Sequence, residues 1–418
     1  MRPILHTLAA VAALTVATAP AFAATVVGFA TLPAQTYAPG GPSGGAGISG
    51  NGINGPFPGQ PVQGFSAIIS STSGQPNRFL AMADNGYGAK GNSADFLLRA
   101  YDVTLDFRTA TGGSGGVLIN GYNTFTDLNS RLSFGITRAD RQLTGADFDP
   151  ESIRRVSDGT YYVGEEFGPF LVHLDANFNV LQDAISVPGV TGPDNPFGGT
   201  PNLGGSGGFE GMALSPDGLT LYPMLEKGVA GDNPLARRIY NFDIANQSFN
   251  GFSNYLLDDA ANAIGDFSSV GGDRYVVIER DNGQGATALF KKLFLVDFSE
   301  RDASGNLRKT EIANLLDLAD PNDLNRDGST DFTFPFQTIE EVLFIDSNTL
   351  LVGNDNNYPF SNGRFGPVTP DPNEWILIRL DQALPVPEPK SWAMMIGGFA
   401  VAGAGLRTRR RTVRFAKA

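Results

Sequence analysis

The chain has no cysteine and only two histidines, His6 and His173, among its 418 residues. The absence of cysteine excludes disulfide scaffolds, thiolate-ligated metal sites and cysteine nucleophiles. Two histidines are too few for any mechanism that needs a cluster of imidazoles. Charged residues are also scarce, at 17%, whereas apolar residues make up 41%. That balance excludes an intrinsically disordered or fibrous chain, because the apolar fraction is large enough to build a core.

The N-terminus has the three parts of a secretory signal peptide. Arg2 precedes an apolar run at residues 4–16, and Ala21, Phe22 and Ala23 supply a small-x-small cleavage site. We therefore expect residues 1–23 to be a signal peptide that is removed on export, together with His6.

The C-terminus carries a second three-part pattern. Val386-Pro387-Glu388-Pro389 is followed by an apolar stretch that reaches Leu406, and five arginines lie between Arg407 and Arg414. Residues 385–418 resemble the PEP-CTERM sorting signal, which combines a Pro-Glu-Pro motif, a short transmembrane segment and a basic tail. The resemblance implies export by a Gram-negative bacterium, transient membrane anchoring, processing by an exosortase, and residence at the cell surface or in the extracellular matrix.

The two termini conceal how acidic the central chain is. The whole sequence has a net charge of -13, but residues 24–389 keep every acid and lose eight cations, which brings their charge to near -21. Such a surface repels nucleic acid and other polyanions unless cations intervene. We therefore expect no nucleic-acid partner.

One pattern recurs along the central chain: an acid, a short apolar strand, a Gly/Asp/Asn/Ser turn, a second strand and a second acid. The clearest copies span residues 149–166, 209–226, 266–279 and 339–355, and a weaker copy spans 65–86. A third apolar run follows each copy. Short strands and turns that repeat every roughly 50–80 residues predict an all-β fold, a β-propeller of five or six blades over residues 24–384. A sixth blade would come from residues 102–148 or be completed by an N-terminal strand at 26–32.

The acids of the repeat should meet at one place. Reflecting each copy about its turn pairs Glu151 with Glu166, Glu210 with Glu226, Asp266 with Glu279, and Glu340 with Asp355. The first strand of each propeller blade lines the central channel, so the acids should ring one mouth of it. Carboxylates facing each other at low dielectric repel and need cations, and a ring of hard oxygen ligands suits Ca²⁺ or Mg²⁺. The alternative is that these acids are simply solvated at strand ends.

These acids are the candidate site residues. As catalytic residues we predict Glu151, Glu166, Glu210 and Glu340. As metal ligands of the ring we predict Asp84, Glu165, Glu226, Asp266, Glu279, Asp281 and Asp355. Neighbouring cations could pair with the acids or with a phosphate, and pairing with acids is favoured; they are Arg154, Arg155, Lys227 and Arg280.

A separate calcium signal is local to residues 323–331. Asp323, Asn325, Asp327 and Asp331 occupy positions 1, 3, 5 and 9 of a loop with Gly328 at position 6, as in an EF-hand. Position 12 is Phe334 instead of the usual bidentate glutamate. The sequence therefore predicts a Ca²⁺-stapled loop, with a plain polar Asx-turn loop as the alternative.

Six short motifs carry a family resemblance. They are MADNGYG (82–88), FLLR (96–99), PESI (150–153), GEEFG (164–168), GFEG (208–211) and TIEEV (338–342). From about residue 60 to 380 the chain resembles the phytase-like family called "esterase-like activity of phytase". The resemblance implies a propeller that hydrolyses phosphate or other esters. Calcium held by the carboxylate ring would neutralise the site, bind substrate phosphate and activate a water.

Three functions follow as hypotheses. The leading one is a secreted, Ca²⁺-dependent ester hydrolase, and among ester hydrolases a phosphomonoesterase is favoured. The second is a lactonase or carboxylesterase that uses one Ca²⁺, and the third is a non-catalytic surface or matrix protein. The expected partners are accordingly a small-molecule ester substrate or an extracellular polysaccharide. A Ser-His-Asp hydrolase is disfavoured, because His173 sits mid-strand and is the only histidine left after residue 23.

Overall fold

The structure is a computed structural model that describes residues 24–384. The predicted signal peptide and the predicted sorting signal lie outside these residues. The described chain consists of strands, loops and two short 3-10 turns at Lys90–Asn92 and Gly285–Thr287. Within residues 24–384, no helix has the length and apolar character to cross a membrane.

The strands are, in chain order, β1 (Ala24–Leu32), β2 (Ser49–Gly50), β3 (Ile53–Asn54), β4 (Phe65–Ser70), β5 (Arg78–Ala83), β6 (Arg99–Asp106), β7 (Gly116–Thr124), β8 (Pro150–Arg155), β9 (Tyr161–Glu165), β10 (Phe170–Leu174), β11 (Ile185–Ser186), β12 (Phe209–Leu214), β13 (Thr220–Leu225), β14 (Ala236–Asp243), β15 (Ser248–Leu256), β16 (Ala263–Gly271), β17 (Arg274–Arg280), β18 (Lys291–Arg301), β19 (Leu307–Asn314), β20 (Leu318–Ala319), β21 (Asp331–Phe332), β22 (Glu341–Asp346), β23 (Thr349–Gly353) and β24 (Asn373–Leu380).

The strands of the repeat form antiparallel groups of four. Strands β4 to β7 make sheet 1, β8 to β11 sheet 2, β12 to β15 sheet 3 and β16 to β19 sheet 4. In sheet 5, β22, β23 and β24 are joined by β1 from the other end of the chain. The first strands β4, β8, β12, β16 and β22 contact one another in that order, and β22 contacts β4 again. This closed ring of inner strands confirms the predicted all-β propeller.

The N-terminal strand closes the ring. β1 runs antiparallel to β24 from Ala24 opposite Leu380 to Leu32 opposite Asn373. It also bridges to sheet 1, where Thr31 pairs with Gly116 of β7. The residues 102–148, considered as a source of a sixth blade, instead supply β7, the outer strand of sheet 1.

Apolar side chains fill the spaces between neighbouring sheets. Each of five buried clusters combines residues of two adjacent sheets, and the cluster between sheets 4 and 5 includes Val276, Val342 and Ile376. The cluster between sheets 5 and 1 is built around Trp375, Phe65 and Tyr101. Hydrophobic burial thus holds the sheets face to face around the axis.

Glycines let the inner strands approach each other closely. A Cβ at Gly211 of β12 would lie 2.8 Å from the backbone nitrogen of Phe267 on β16. A Cβ at Gly265 of β16 would collide with the carbonyl oxygen of Ile339, just before β22. Side chains at these two positions would force neighbouring sheets apart.

We predict that Gly265→Ala destabilises the fold by about 1–3 kcal/mol, as overpacking of a rigid site does. The obstacle is a backbone carbonyl, which cannot rotate away. Gly121→Ala is the matched control, because a Cβ at this β7 position meets nothing within 4 Å. Urea denaturation of both variants measures the difference, and equal stability of Gly265→Ala and wild type would contradict the close approach at the axis.

Candidate active site at the channel mouth

β-Bulges turn acids of the inner strands towards the axis. In β8 the register shifts between Pro150 and Ser152, which leaves Glu151 unpaired. In β12 the shift between Phe209 and Gly211 leaves Glu210 unpaired in the same way. A bulged residue leaves the ladder and its side chain is re-aimed. The repeat therefore presents a carboxylate at the channel instead of an apolar side chain.

The ends of the second strands supply a further set of acids. Glu166 follows β9, Glu226 follows β13, and Asp84 follows β5. In sheet 5, Asp355 lies two residues beyond β23, and Glu340 immediately precedes β22. Since each second strand ends beside the start of its first strand, the two sets meet at one mouth of the channel.

These acids line a cavity of about 380 Å³, the channel cavity. Its carboxylates are Asp84, Asp149, Glu151, Glu166, Glu210, Glu226, Glu340 and Asp355, and its cations are Lys227 and Arg280. All of these carboxylates except Asp84 belong to side chains that are buried. The cavity thus gathers eight acids against two cations, and seven of the acids have little exposed surface.

Two groups of three carboxylates are close enough to share a cation. One carboxylate oxygen each from Asp149, Glu151 and Glu166 lie within 4.8 Å of one another. The same holds for Glu166, Glu210 and Glu226. Glu166 belongs to both groups, so the two positions adjoin. Three converging carboxylate oxygens match the hard ligand set that Ca²⁺ and Mg²⁺ bind.

Arg280 is the buried counter-charge of the cavity. Its Nη2 lies 3.3 Å from Glu226 Oε1, 3.4 Å from Glu340 Oε1 and 3.6 Å from Glu210 Oε1. Arg280 ends β17 of sheet 4, whereas these glutamates come from sheets 3 and 5. One guanidinium thus links three sheets at the channel mouth, as expected for a cation that pairs with the ring acids.

A second arginine crosses the channel beyond the cavity. Arg154 of β8 donates from Nη2 to the carbonyl oxygen of Phe267, 2.8 Å away. The same nitrogen lies 3.5 Å from Asp266 Oδ1. Arg154 therefore spans from sheet 2 to sheet 4, and its pair with Asp266 fills the channel next to the acids.

Burial and mutual repulsion keep protons on the carboxylates. Burial first, and then Glu226 and Asp149, hold the pKa of Glu166 well above its usual range. Burial and neighbouring acids likewise raise the pKa of Glu151 and Glu210 well above normal. Burial and the charge of Asp355 raise the pKa of Glu340 to about 8, and burial raises that of Asp355 to about 7. A metal cation that binds these carboxylates would displace their protons.

Other predicted ring residues lie outside the channel cavity and have protein partners. Glu165 accepts hydrogen bonds from the backbone nitrogens of Asp149, Phe167 and Gly168. Glu279 accepts from Tyr255 Oη, Asn262 Nδ2 and Lys309 Nζ. Both are fully buried, at 0% exposure. In these two sheets the strand-end glutamate fastens loops, and the next residue, Glu166 or Arg280, faces the cavity.

Asp266 and Asp281 are also held by local partners. In β16 the register shift leaves both Gly265 and Asp266 unpaired, and Asp266 accepts the N–H groups of Phe267 and Val342. Asp281 accepts from the backbone of Leu289 and pairs with Lys291 Nζ at 2.9 Å. Sheet 4 therefore brings an arginine to the cavity, where the other sheets bring acids.

The 323–331 loop lies apart from the channel cavity. It connects β20 to β21, and Asp327 and Asp331 are exposed. Asp323 Oδ1 accepts the N–H of Gly328 at 3.1 Å, and Gly328 has a φ of 84°. This curls the loop as its EF-hand-like spacing predicts, and its role in binding Ca²⁺ stays a prediction.

Asp149 is the functional candidate that was absent from the predicted ligand set. It lies in the first metal-compatible group and accepts both the backbone N–H and the Nδ2 of Asn85, at 3.1 and 2.5 Å. The signal was present in the sequence, because Asp149 stands two residues before Glu151 and opens its copy of the repeat. His173, in contrast, stacks on Tyr162 with 4.1 Å between ring centroids and takes no part in the cavity.

A family comparison agrees with the motifs. The sequence profile of a phytase-like family, described as "Esterase-like activity of phytase", matches residues 60–358. The chain belongs to this family. The match spans sheets 1 to 4 and the start of sheet 5, and so includes every acid of the channel cavity.

More distant similarities are confined to overall shape. A luciferin-regenerating enzyme is 11% identical, with a TM-score of 0.37, over 77% of this chain and 81% of that one. A PQQ-bound aldose sugar dehydrogenase from Streptomyces coelicolor is 9% identical, with a TM-score of 0.37, over 77% and 80%. Hydrazine synthase from Kuenenia stuttgartiensis is 12% identical, with a TM-score of 0.34, over 70% and 77%. Similarity at this level carries no inference about ligand or reaction. No curated protein matches the chain.

We predict that the phytase-like chain loses stability as pH rises from 5 to 8 in the presence of a chelator. The raised pKa values of Glu340 and Asp355, about 8 and 7, mean that the folded state holds protons that the unfolded state has released. Stability therefore falls with pH between the unfolded and the folded pKa. The lowered pKa of His173 acts in the opposite direction, but it is a single group.

The measurement is the melting temperature at several pH values, with and without Ca²⁺. We expect a fall of several degrees in chelator, and a smaller fall in the double variant Glu340→Gln/Asp355→Asn. A melting temperature that stays level or rises over this range would contradict the protonated cavity.

Proposed function

We propose that this phytase-like protein is a divalent-metal-dependent ester hydrolase, with Ca²⁺ as the first candidate metal and phosphomonoesters as the first candidate substrates. The proposal rests on the two sets of three carboxylates in the channel cavity, which share Glu166. The donors are all carboxylate oxygens, which fits a hard cation and not a soft one. Membership of the phytase-like family supports an ester as the substrate.

The charge of the cavity supports the need for a metal. In their ionised forms, the eight carboxylates would outweigh the two cations and repel a phosphate group at close range. Cations held by Asp149, Glu151, Glu166, Glu210 and Glu226 would reverse that field. A bound divalent cation would also polarise the ester oxygen and lower the pKa of a water.

The chain's own residues could complete the reaction. Asp355 and Glu340, with pKa values of about 7 and 8, can hold or release a proton near neutral pH, as a general acid or base must. Arg280 binds Glu340 and keeps its carboxyl group oriented. Lys227 stands at the rim with a side chain that is 45% exposed, where it can meet an anionic substrate.

The larger cavity of the molecule does not suit the same chemistry. It measures about 1200 Å³ and lies beside β1 and the 323–331 loop, and its acids are Asp327 and Glu374. Glu374 is already paired with Arg364 at 2.7 Å. Size alone therefore does not locate the site, and the convergence of carboxylates favours the smaller cavity.

The predicted signals at the two termini support a proposal about where the protein acts. We propose that the protein is exported and works at the cell surface or in the extracellular matrix, after processing by an exosortase. Calcium sites of extracellular modules bind with dissociation constants of about 10⁻⁴–10⁻³ M, so a weak carboxylate site would be in keeping with this location.

We predict that Glu166→Gln lowers kcat/KM about 100-fold or more, because it removes a ligand from both groups, and even outer-shell changes cost about 10–100-fold. The assay is hydrolysis of p-nitrophenyl phosphate, phytate and a lactone, with Ca²⁺ and with a chelator. Glu300→Gln, at an exposed position of β18, is the control and should keep wild-type activity.

The three substrates separate the hypotheses. Turnover of the lactone alone would favour a lactonase over a phosphomonoesterase. No turnover of any ester in any metal would leave a non-catalytic surface protein as the remaining hypothesis, and unchanged activity of Glu166→Gln would remove the channel cavity as the site.

A further inference from the structure

The base of the 323–331 loop contains a buried acid that its EF-hand-like spacing does not include. Asp320 is 1% exposed, and its Oδ1 is buried without a hydrogen-bond partner among the described residues. Its other oxygen, Oδ2, accepts the backbone N–H of Leu324 at 2.7 Å. One carboxylate oxygen is thus fixed to the loop, whereas Oδ1 has no partner of good hydrogen-bond geometry and is favoured only by the nearby backbone N–H groups of Asn322 and Asn325.

Asp320 is tied to the loop at three points. Its backbone N–H donates to the carbonyl oxygen of Thr330 at 2.7 Å, and its own carbonyl oxygen accepts the N–H of Asp323 at 3.1 Å. With the bond to Leu324, these contacts seat Asp320 where the chain enters and leaves the loop. They also bring it close enough to Asp323 for that charge to act on it.

The loop itself has the ligand pattern of a calcium site with one member missing. Positions 1, 3, 5 and 9 carry oxygen side chains, whereas position 12 is Phe334, which is buried in the core. An EF-hand loop takes a bidentate acid from position 12, downstream of the turn. Asp320 lies three residues upstream of position 1 and offers a carboxylate at the same closing end of the loop.

We propose that the 323–331 loop is a structural Ca²⁺ site in which Asp320 replaces the missing carboxylate of position 12. Asp323, Asn325 and Asp327 would supply the other side-chain oxygens. The site is separate from the channel cavity, so it stands or falls independently of any hydrolase activity.

The surroundings of the loop indicate what the cation would stabilise. β20 pairs in parallel with the closing strand β1, through Thr25 and Ala319. Arg108 donates from Nη1 to the carbonyl oxygen of Leu324 at 2.7 Å, and its backbone exchanges hydrogen bonds with Phe29 of β1. The loop thus joins the two ends of the ring where sheets 5 and 1 meet, and a cation there would fasten the closure.

The test is calcium binding by titration calorimetry in the full mature chain carrying Glu166→Gln and Glu210→Gln, which disables both groups in the channel cavity. We expect this background to retain one Ca²⁺ per chain and to gain melting temperature on calcium addition. Adding Asp320→Asn should weaken that Ca²⁺ at least about tenfold, the lower bound for disturbing a metal site. Asp317→Asn, an exposed acid of the same segment, is the matched control and should bind as the background does.

Asparagine keeps an oxygen for the N–H of Leu324, so the melting temperature of Asp320→Asn in chelator should equal that of the background. Asp327→Asn, at an exposed position, provides a second variant should Asp320→Asn fail to fold, and it should show the same loss. The proposal is overturned if the background binds no Ca²⁺, if Asp320→Asn binds it unchanged, or if Asp327→Asn leaves both affinity and calcium-dependent stabilisation intact.

Discussion

The mutual repulsion of buried carboxylates at the channel mouth is the constraint on which the rest of the site depends. Seven of the acids in the channel cavity are buried, and Arg280 is the one buried cation among them. A single guanidinium cannot balance that charge. The chain must hold protons on several acids or bind cations, and the raised pKa values record the first of these solutions. Stability and metal affinity are therefore two aspects of the same electrostatic problem.

The fold brings the acids to the channel axis, where burial and proximity make them repel one another. A plain antiparallel strand would alternate its side chains between the two sheet faces, where the cores lie. The bulges at Glu151 and Glu210 interrupt that alternation and send a charged side chain to the axis. The glycines at 211 and 265 meanwhile let the inner strands pack tightly enough for acids of different sheets to approach. Natural proteins keep such costly arrangements chiefly at functional sites.

Sequence patterns predicted the parts of the fold that are buried. The first three strands of each sheet have short apolar runs between turn residues, and these runs match β8, β9 and β10 almost residue by residue. The outer strand β7 was not predicted, although it contains the apolar run Val117-Leu118-Ile119, because that run does not alternate with polar residues and none of the nine residues of β7 is buried. The sequence indicated that an N-terminal strand at 26–32 could complete a blade, but it did not identify the partner β24 at the other end of the chain, because a local pattern contains no information about such a partner.

The site was predictable to the level of the repeat, but not to the level of the register. The sequence repeat placed Glu279 in the position of Glu166. In the structure, Glu279 corresponds to Glu165, and Arg280 corresponds to Glu166. That single step decides whether sheet 4 brings an acid or a cation to the cavity. This one-residue difference depends on β-bulges, which add one or two unpaired residues to a strand. Hydrophobic periodicity does not reveal where such bulges lie. Because Arg280 pairs with Glu210, Glu226 and Glu340, the departure of sheet 4 from the repeat supplies the one buried cation of the cavity and lessens the repulsion that protons or bound cations must otherwise offset.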